Sequence, residues 1–158
     1  MDIRDISVGT ILYILAQVPG ALLFMGNAYV AQGGGDGEVC GSGVQSSVDV
    51  IATTYSVKGG APSSLRFTTA GSTTDHPSGA GYEVITGIGP NVLENTRAAL
   101  RPMVELIINE KNWARIDVYL LTRVCADMRL VRSLMSLIGS SRAIFCVSSL
   151  NLHNGAQP

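Results

Sequence analysis

The feature that most constrains the fold of this chain is a change of hydrophobic period near Pro90. Before it, apolar and polar residues alternate, as in Ser47–Val57; after it, from Leu93, apolar residues recur at spacings of three and four. A period of two is typical of half-buried strands and one of 3.6 of amphipathic helices. We therefore predict an α+β fold: mostly β, with sandwich-like strands over about residues 3–88, then one or two packed helices and a short C-terminal strand.

Short apolar or alternating runs bounded by turn residues predict the strands. Pro19-Gly20 reads as the turn between the first two runs. The eighteen glycines, many of them between β-rich runs, favour the same strand-rich architecture. The predicted strands are Thr10–Leu15, Ala21–Met25, Ser47–Val57, Leu65–Thr69, Tyr82–Thr86 and, after the helices, Ala143–Val147.

The helical region is predicted between Asn91 and Leu134. Pro102 lies inside the first periodic run, where a proline removes a backbone hydrogen bond and costs about 3 kcal/mol. We therefore expect a kink, or two helical pieces that meet near Arg101. A second helix is predicted to begin near Asp117, a favourable N-terminal acid, and to run towards Leu134. Residues 70–81 are predicted to form a surface loop, and residues 151–158 a frayed tail.

Length and charge bound the classes of protein to which the chain can belong. Its 158 residues suit a single domain spanning 1–158, and 11 basic against 12 acidic side chains give no electrostatic case for nucleic acid or for an anionic membrane. Only 15% of residues are charged, against a usual figure of about a quarter, while 46% are hydrophobic and the mean hydropathy is +0.29. This composition excludes extensive disorder and predicts an interface, with a second copy or with a complementary chain.

The cysteines and histidines exclude several kinds of site. Three cysteines far apart in the chain form neither a disulfide framework nor a CxxC motif, so we expect a reducing, cytoplasmic location. With only two histidines, the chain cannot form a metal site built from three or more histidines of its own. The apolar run from Val8 to Met25 is preceded by Asp2 and Asp5 and is interrupted by Pro19-Gly20, which favours soluble strands over a signal peptide or membrane anchor.

Several motifs, in order and at matching spacing, resemble the second half of the acetamidase/formamidase family. The most specific are Val18-Pro19-Gly20-Ala21-Leu22, Ala31-Gln32-Gly33 and Asp36-Gly37-Glu38-Val39-Cys40-Gly41, which follow Met1-Asp2-Ile3-Arg4. The similarity continues through Ile85-Thr86-Gly87-Ile88, the helix around Ala98–Met103, Asp117-Val118-Tyr119 and Asp127-Met128-Arg129-Leu130. It fades after Arg129, where the family has a proline-containing connection.

The resemblance implies a soluble, metal-assisted hydrolase that splits short linear amides into a carboxylate and ammonia, with a zinc-like divalent metal as cofactor. Where the family typically reads Gly-Asp-Gly-His-Ala-x-Gln-Gly-Asp-Gly-Glu, this chain has Asn27 in place of Asp and Tyr29 in place of His, and it inserts Gly34 and Gly35 before Asp36. An amide or phenol oxygen is a poorer zinc ligand than carboxylate or imidazole. The chain also begins where the family is about half complete.

The resemblance places Glu38 as general base with Asp36 in support, and Asn27, Tyr29 and Gln32 at substrate or degenerate metal positions. Each acid has a simpler interpretation: Glu38 as a solvent-facing strand carboxylate, and Asp36 as a turn former at the glycine run.

The other histidines, cysteines and charged residues considered are given structural roles. His76 is assigned to an exposed turn and His153 to the tail, Cys40 to a small buried side chain, and Asp127 and Arg129 to an ion pair near a helix end.

Two classes of function follow from these residues. The first is an amide hydrolase, or one piece of one, that depends on Glu38. The second is a non-catalytic descendant of the same fold that serves assembly or protein interaction. Asn27 and Tyr29 favour the second, whereas the intact Asp36-Gly37-Glu38 favours the first.

Overall fold

The computed structural model describes residues 3, 5–26, 28–32, 43–45, 47, 49–70, 81–134 and 142–149. Seven strands and two helices lie in these residues. In chain order they are β1 (Ile11–Tyr13), β2 (Tyr29–Gln32), β3 (Gly43–Gln45), β4 (Arg66–Thr68), β5 (Glu83–Gly89), α1 (Val92–Lys111), α2 (Arg115–Cys125), β6 (Asp127–Leu134) and β7 (Arg142–Ser149).

The main sheet has five strands in the order β1-β4-β5-β7-β6, and every neighbouring pair is antiparallel. The chain leaves β5, passes through both helices and β6, and returns as β7 between β5 and β6. Strands β2 and β3 form a separate two-stranded antiparallel ribbon. The α+β class is therefore confirmed, with an open sheet and two helices that follow most of the strands.

Helix α1 has a side-chain cap at its start and a left-handed residue at its end. The Asn91 side-chain oxygen accepts hydrogen bonds from the backbone N–H groups of Leu93 and Glu94, at 2.9 and 3.1 Å. Asn112 has φ 53° and donates its backbone N–H to Ile108, as expected for a residue that ends a helix. Both ends of the helix thus lie where local chemistry places them.

The helix lies directly on the backbone of β5 at Gly87. A Cβ atom at Gly87 would overlap the backbone oxygen of Asn95 and lie 3.1 Å from the nitrogen of Ala99. The Asn95 side-chain amide donates to the carbonyl of Gly89 at 2.7 Å. Glycine is required at this contact because a side chain would occupy space that the helix backbone already fills.

The two faces of the sheet carry separate hydrophobic clusters. On the helical face, Ile85 packs with residues of both helices: Ala99, Met103, Val104, Ile107 and Val118. On the opposite face, Val84 and Phe67 pack with Ile3. Adjacent residues of β5 therefore belong to different cores, as the alternation of a strand requires.

The structure corrects three expected elements. Ala21–Met25 and the described residues of Ser47–Val57 are not strands, because no neighbouring strand pairs with them in the part of the chain that is described. The second helix ends at Cys125 and does not reach Leu134, because residues from Asp127 pair with β7 as β6. Thr10–Leu15, Leu65–Thr69, Tyr82–Thr86 and Ala143–Val147 are confirmed as sites of strands.

The alternative of two helical pieces meeting near Arg101 is also wrong, since α1 continues through Pro102. Ala99 and Met103, on either side of the proline, are both fully buried. The free energy gained by burying these two side chains offsets the loss of the backbone hydrogen bond that Pro102 cannot donate.

Of the predicted loop 70–81, only Ala70 and Gly81 are described, and the predicted tail 151–158 lies outside the described residues.

Neither α1 nor α2, the two helices of the described residues, is long and apolar enough to cross a membrane.

We predict that Gly87→Ala lowers the free energy of unfolding by about 1–3 kcal/mol, because the added methyl group forces α1 away from β5. Urea denaturation followed by circular dichroism measures this change. Gly26→Ala is the matched control, because nothing lies within 4 Å of a Cβ at that position. Equal stability of the two variants would contradict the close contact.

Candidate functional site

The ribbon β2–β3 carries the sequence-predicted site residues that the structure describes. Tyr29 and Gln32 are the first and last residues of β2. Gln32 pairs with Gly43, the first residue of β3, so the two residues that flank the interval 33–42 lie next to each other. Asp36 and Glu38 belong to this interval, and the ribbon therefore anchors both ends of the segment that contains the candidate acids.

A register shift interrupts the ribbon next to Tyr29. Tyr29 pairs with Gln45 but Ala31 pairs with Val44, which leaves Val30 as an extra residue on β2. Such bulges re-aim neighbouring side chains and are frequent beside active sites. Tyr29 is half-buried and Val30 is 71% exposed. Tyr29, at the position where the resemblance implies a histidine, thus lies at an irregular point of the strand.

The remaining predicted positions lie outside the described residues. These are Asn27, Asp36 and Glu38, together with His76, His153 and Cys40. The side chain of Gln32 is also outside the description, although its backbone is included. The roles given to these residues by the family resemblance stay predictions.

The substitutions at Asn27 and Tyr29 weaken this chain's donor set for a zinc-like metal. Within the part of the chain that the structure describes, no group of three or more His, Cys, Asp or Glu side chains could hold a metal ion. In the motif itself, Asn27 and Tyr29 supply an amide and a phenol where the family has carboxylate and imidazole. Asp36, Glu38 and Cys40 are then the good donors that remain in the motif, at the lower limit of the three or four protein ligands usual for zinc.

A connected polar cluster among the described residues is centred on Glu83, which is only 5% exposed. One carboxylate oxygen of Glu83 accepts from Arg66 Nε, and the other accepts from Thr68 Oγ1 at 3.0 Å. Arg66 and Thr68 alternate along β4 and face the same side as Glu83, because Thr68 pairs with Glu83 across the two strands. Burial of this carboxylate is offset by a cation and a hydroxyl donor.

Arg66 extends the cluster to the outer strand and to the helix. Its guanidinium lies 4.4 Å from the ring centroid of Tyr13 on β1, within cation–π distance. A terminal nitrogen is 3.5 Å from Glu110 Oε1 near the end of α1. One side chain thus contacts β1, β5 and α1. We call the set Arg66, Thr68, Glu83, Glu110 and Tyr13 the arginine junction.

The arginine junction is suited to structural support and not to general acid–base chemistry. Glu83 is buried and both of its oxygens accept hydrogen bonds from Arg66 and Thr68, so the carboxylate is enclosed by protein groups and is not presented to a substrate. Sequence analysis did not single out Arg66 or Glu83. The available signal was a charged residue within each of two short strands, but their partnership depends on strand register, which the sequence does not display.

A second feature is an open groove of about 460 Å³ between the two helices. Its lining is mainly apolar, from Leu100 and Val104 on α1 and Ile116 and Tyr119 on α2. Arg115 closes one side through an ion pair with Glu105. The hydrogen bond to Glu105 and the attraction of its charge raise the pKa of Arg115 above its ordinary value. The groove contains no nucleophile paired with a base, so it offers no catalytic constellation.

Asp127 and Arg129 lie on β6, directly after α2. A terminal nitrogen of Arg129 is 3.5 Å from Asp5 Oδ2, and the Asp5 side chain is only 8% exposed. This contact ties the N-terminal segment to the outer strand β6. It supports the structural interpretation of Arg129 and adds Asp5 as the partner, which sequence analysis did not identify.

We predict that Arg66→Met lowers the free energy of unfolding by about 3 kcal/mol, since it leaves the buried Glu83 carboxylate without its cation. Arg97→Met is the matched control: Arg97 pairs with Glu94 on the exposed surface of α1, where such pairs contribute about 0–1 kcal/mol. Chemical denaturation at neutral pH measures both. Similar losses in the two variants would show that the arginine junction does not stabilise the fold.

Comparison with known proteins adds no relative: no family model matches the chain, and neither the curated proteins nor the solved structures contain a match.

Proposed function

We propose that the chain is part of an acetamidase/formamidase-like hydrolase that acts on the carbon–nitrogen bond of short linear amides. Glu38 acts as the general base, Asp36 supports it, and a second copy or a complementary chain completes the site. The proposal rests on the motif Asp36-Gly37-Glu38-Val39-Cys40-Gly41 and on the resemblance of the segments around it. Its partner requirement rests on the exposure of the chain that leads into this motif.

That exposure is the single observation on which the assembly depends. Every residue from 11 to 26 is exposed, including Leu22 at 78% and Phe24 at 84%. Residues 49–60, on the other side of the motif, are also all exposed, with Ile51 at 97%. Contiguous apolar surface of this kind marks contact with another protein surface. In the sequence, the candidate motif therefore falls between two segments that a partner is expected to cover.

The chemistry explains why one chain is insufficient. Amide hydrolysis forms a bond from a water oxygen to the carbonyl carbon and breaks the carbon–nitrogen bond, while a proton passes from the water to the departing nitrogen. A carboxylate such as Glu38 handles that proton, and further groups must polarise the carbonyl and stabilise the oxyanion. With Asn27 and Tyr29 at the positions of the family's Asp and His, this chain supplies those groups only in part.

The alternative function is a non-catalytic subunit of the same fold, which serves assembly or protein interaction. Asn27 and Tyr29 favour it, because the substitutions remove an anionic ligand and a basic nitrogen. The arrangement of exposed segments is the same for both functions. A cytoplasmic location is part of either proposal, since three widely separated cysteines suit a reducing compartment.

We predict that the purified chain alone releases ammonia from formamide or acetamide feebly or not at all. General-base help contributes only about 10²–10⁴-fold, whereas enzymes typically accelerate reactions by about 10⁶-fold or more. Any residual release should disappear in Glu38→Gln and persist in Glu94→Gln, which alters an exposed carboxylate on α1. A coupled ammonia assay with enzyme-free blanks measures both rates.

The outcomes separate the two functions. Ordinary enzymatic turnover that Glu38→Gln abolishes would show that one chain carries a complete site. Residual release that Glu38→Gln leaves unchanged would remove the hydrolase and leave the non-catalytic subunit. Metal analysis of the same preparation adds an independent readout, because a stoichiometric divalent ion would favour the hydrolase even at low turnover.

A further inference from the structure

The outer strand β1 presents an open edge of the main sheet. Among the described residues, β1 pairs only with β4, through Ile11–Thr68, Leu12–Phe67 and Tyr13–Arg66. All three of its side chains are large and exposed, at 56%, 41% and 36% for Ile11, Leu12 and Tyr13. An edge of this kind is a template for pairing with another strand.

The two outer strands differ in charge. Strand β6 carries Asp127, Arg129 and Arg132 in its sequence, and charged residues on an edge strand discourage further pairing. Strand β1 carries none, and no Asp, Glu, Lys or Arg lies anywhere between Asp5 and Asp36. Only one edge of the sheet therefore has the protection that a solvent-exposed edge ordinarily needs.

We propose that β1 pairs antiparallel with β1 of a second copy of this chain, with Leu12 on the two-fold axis, and so joins two five-stranded sheets into one. The proposal rests on the oligomer inferred under the proposed function and specifies its contact surface. It does not require that the chain be catalytically active.

A second copy suits this edge because the edge is complementary to itself. Antiparallel pairing about a two-fold axis uses the same surface on both copies, and an uncharged surface can meet itself without repulsion. With Leu12 on the axis, Ile11 of each copy lies opposite Tyr13 of the other. Aromatic and β-branched residues form favourable cross-strand pairs.

Two neighbouring features strengthen this contact. Tyr13 is already held against the Arg66 guanidinium, 4.4 Å from its ring centroid, so less side-chain freedom is lost on pairing. The exposed apolar residues that follow β1, among them Ile14, Leu15 and Val18, add area beside the short ladder. A stable dimer needs on the order of 1,000 Å² of buried surface, more than three paired residues supply.

Sedimentation velocity across a micromolar concentration series tests the proposal. The unaltered chain should sediment as a dimer, and Ile11→Lys should raise the dimer dissociation constant by at least about tenfold, because a cation on the edge opposes pairing. Val124→Lys is the matched control, since Val124 is 85% exposed and lies on α2, outside the segments that a partner is expected to cover. It should leave the dimer unchanged. Far-UV circular dichroism shows whether each variant keeps its fold.

A cross-link gives a second readout that does not depend on the stability of Ile11→Lys. In a Cys125→Ser background, which removes a cysteine that is exposed, Leu12→Cys should form an intermolecular disulfide between the two copies of position 12. Peptide mass mapping identifies the linked positions. Val124→Cys, on the exposed surface of α2, should form no such link at a comparable yield in the same background.

Three results would overturn the proposal: a monomeric unaltered chain, a dimer that survives Ile11→Lys, or the absence of a link at position 12. These results leave the amide-hydrolysis proposal standing, with a complementary chain or a second copy bound through another surface as partner. Conversely, loss of the hydrolase proposal through an unchanged Glu38→Gln rate leaves the β1 contact untouched. The two proposals therefore fail in distinguishable experiments.

Discussion

The rest of the structure depends on how closely α1 approaches β5. Because Gly87 has no side chain, the backbone of the helix at Asn95 and Ala99 lies directly on the strand. That distance brings Met103 and Ile107, one and two turns further on, into the core beside Ile85. The same close approach sets the distance between the C-terminal end of α1 and the sheet, where Glu110 contacts Arg66. One missing side chain thereby positions both the hydrophobic core and the arginine junction.

The sequence allowed prediction of elements whose cause is local. Helix α1 follows from its period and from Asn91, and β4, β5 and β7 follow from short β-rich runs. Elements whose secondary structure depends on pairing with a strand elsewhere in the sequence were predicted poorly. The run Asp127–Leu134 continues the apolar spacing of a helix, yet it forms β6 because β7 pairs with it. The alternating run Ser47–Val57 has no partner strand among the described residues. The described residues of that run therefore form no β-ladder.

The candidate site divides in the same way. The motif around Asp36 and Glu38 is visible in the sequence because its residues are adjacent, and the structure adds that Gln32 and Gly43 bring the ends of this segment together. The arginine junction could not be predicted, because Arg66 and Glu83 become partners only through the register of β4 and β5. The burial of a charged side chain next to its counter-ion depends on tertiary structure. The local composition of β4 or of β5 does not predict it.

The strand order has a consequence for how the chain is synthesised and folded. Strand β7 is the last described strand in the sequence, yet it lies inside the sheet, between β5 and β6. Until residues 142–149 have left the ribosome, β5 and β6 each lack a neighbour, and the nascent sheet has open edges in its interior. The pairing of β5 with β7, which are distant in sequence, is expected to form slowly. Unpaired strand edges meanwhile promote association with other chains. During translation, α1 and α2 can cover the helical face of β5 before its last partner arrives.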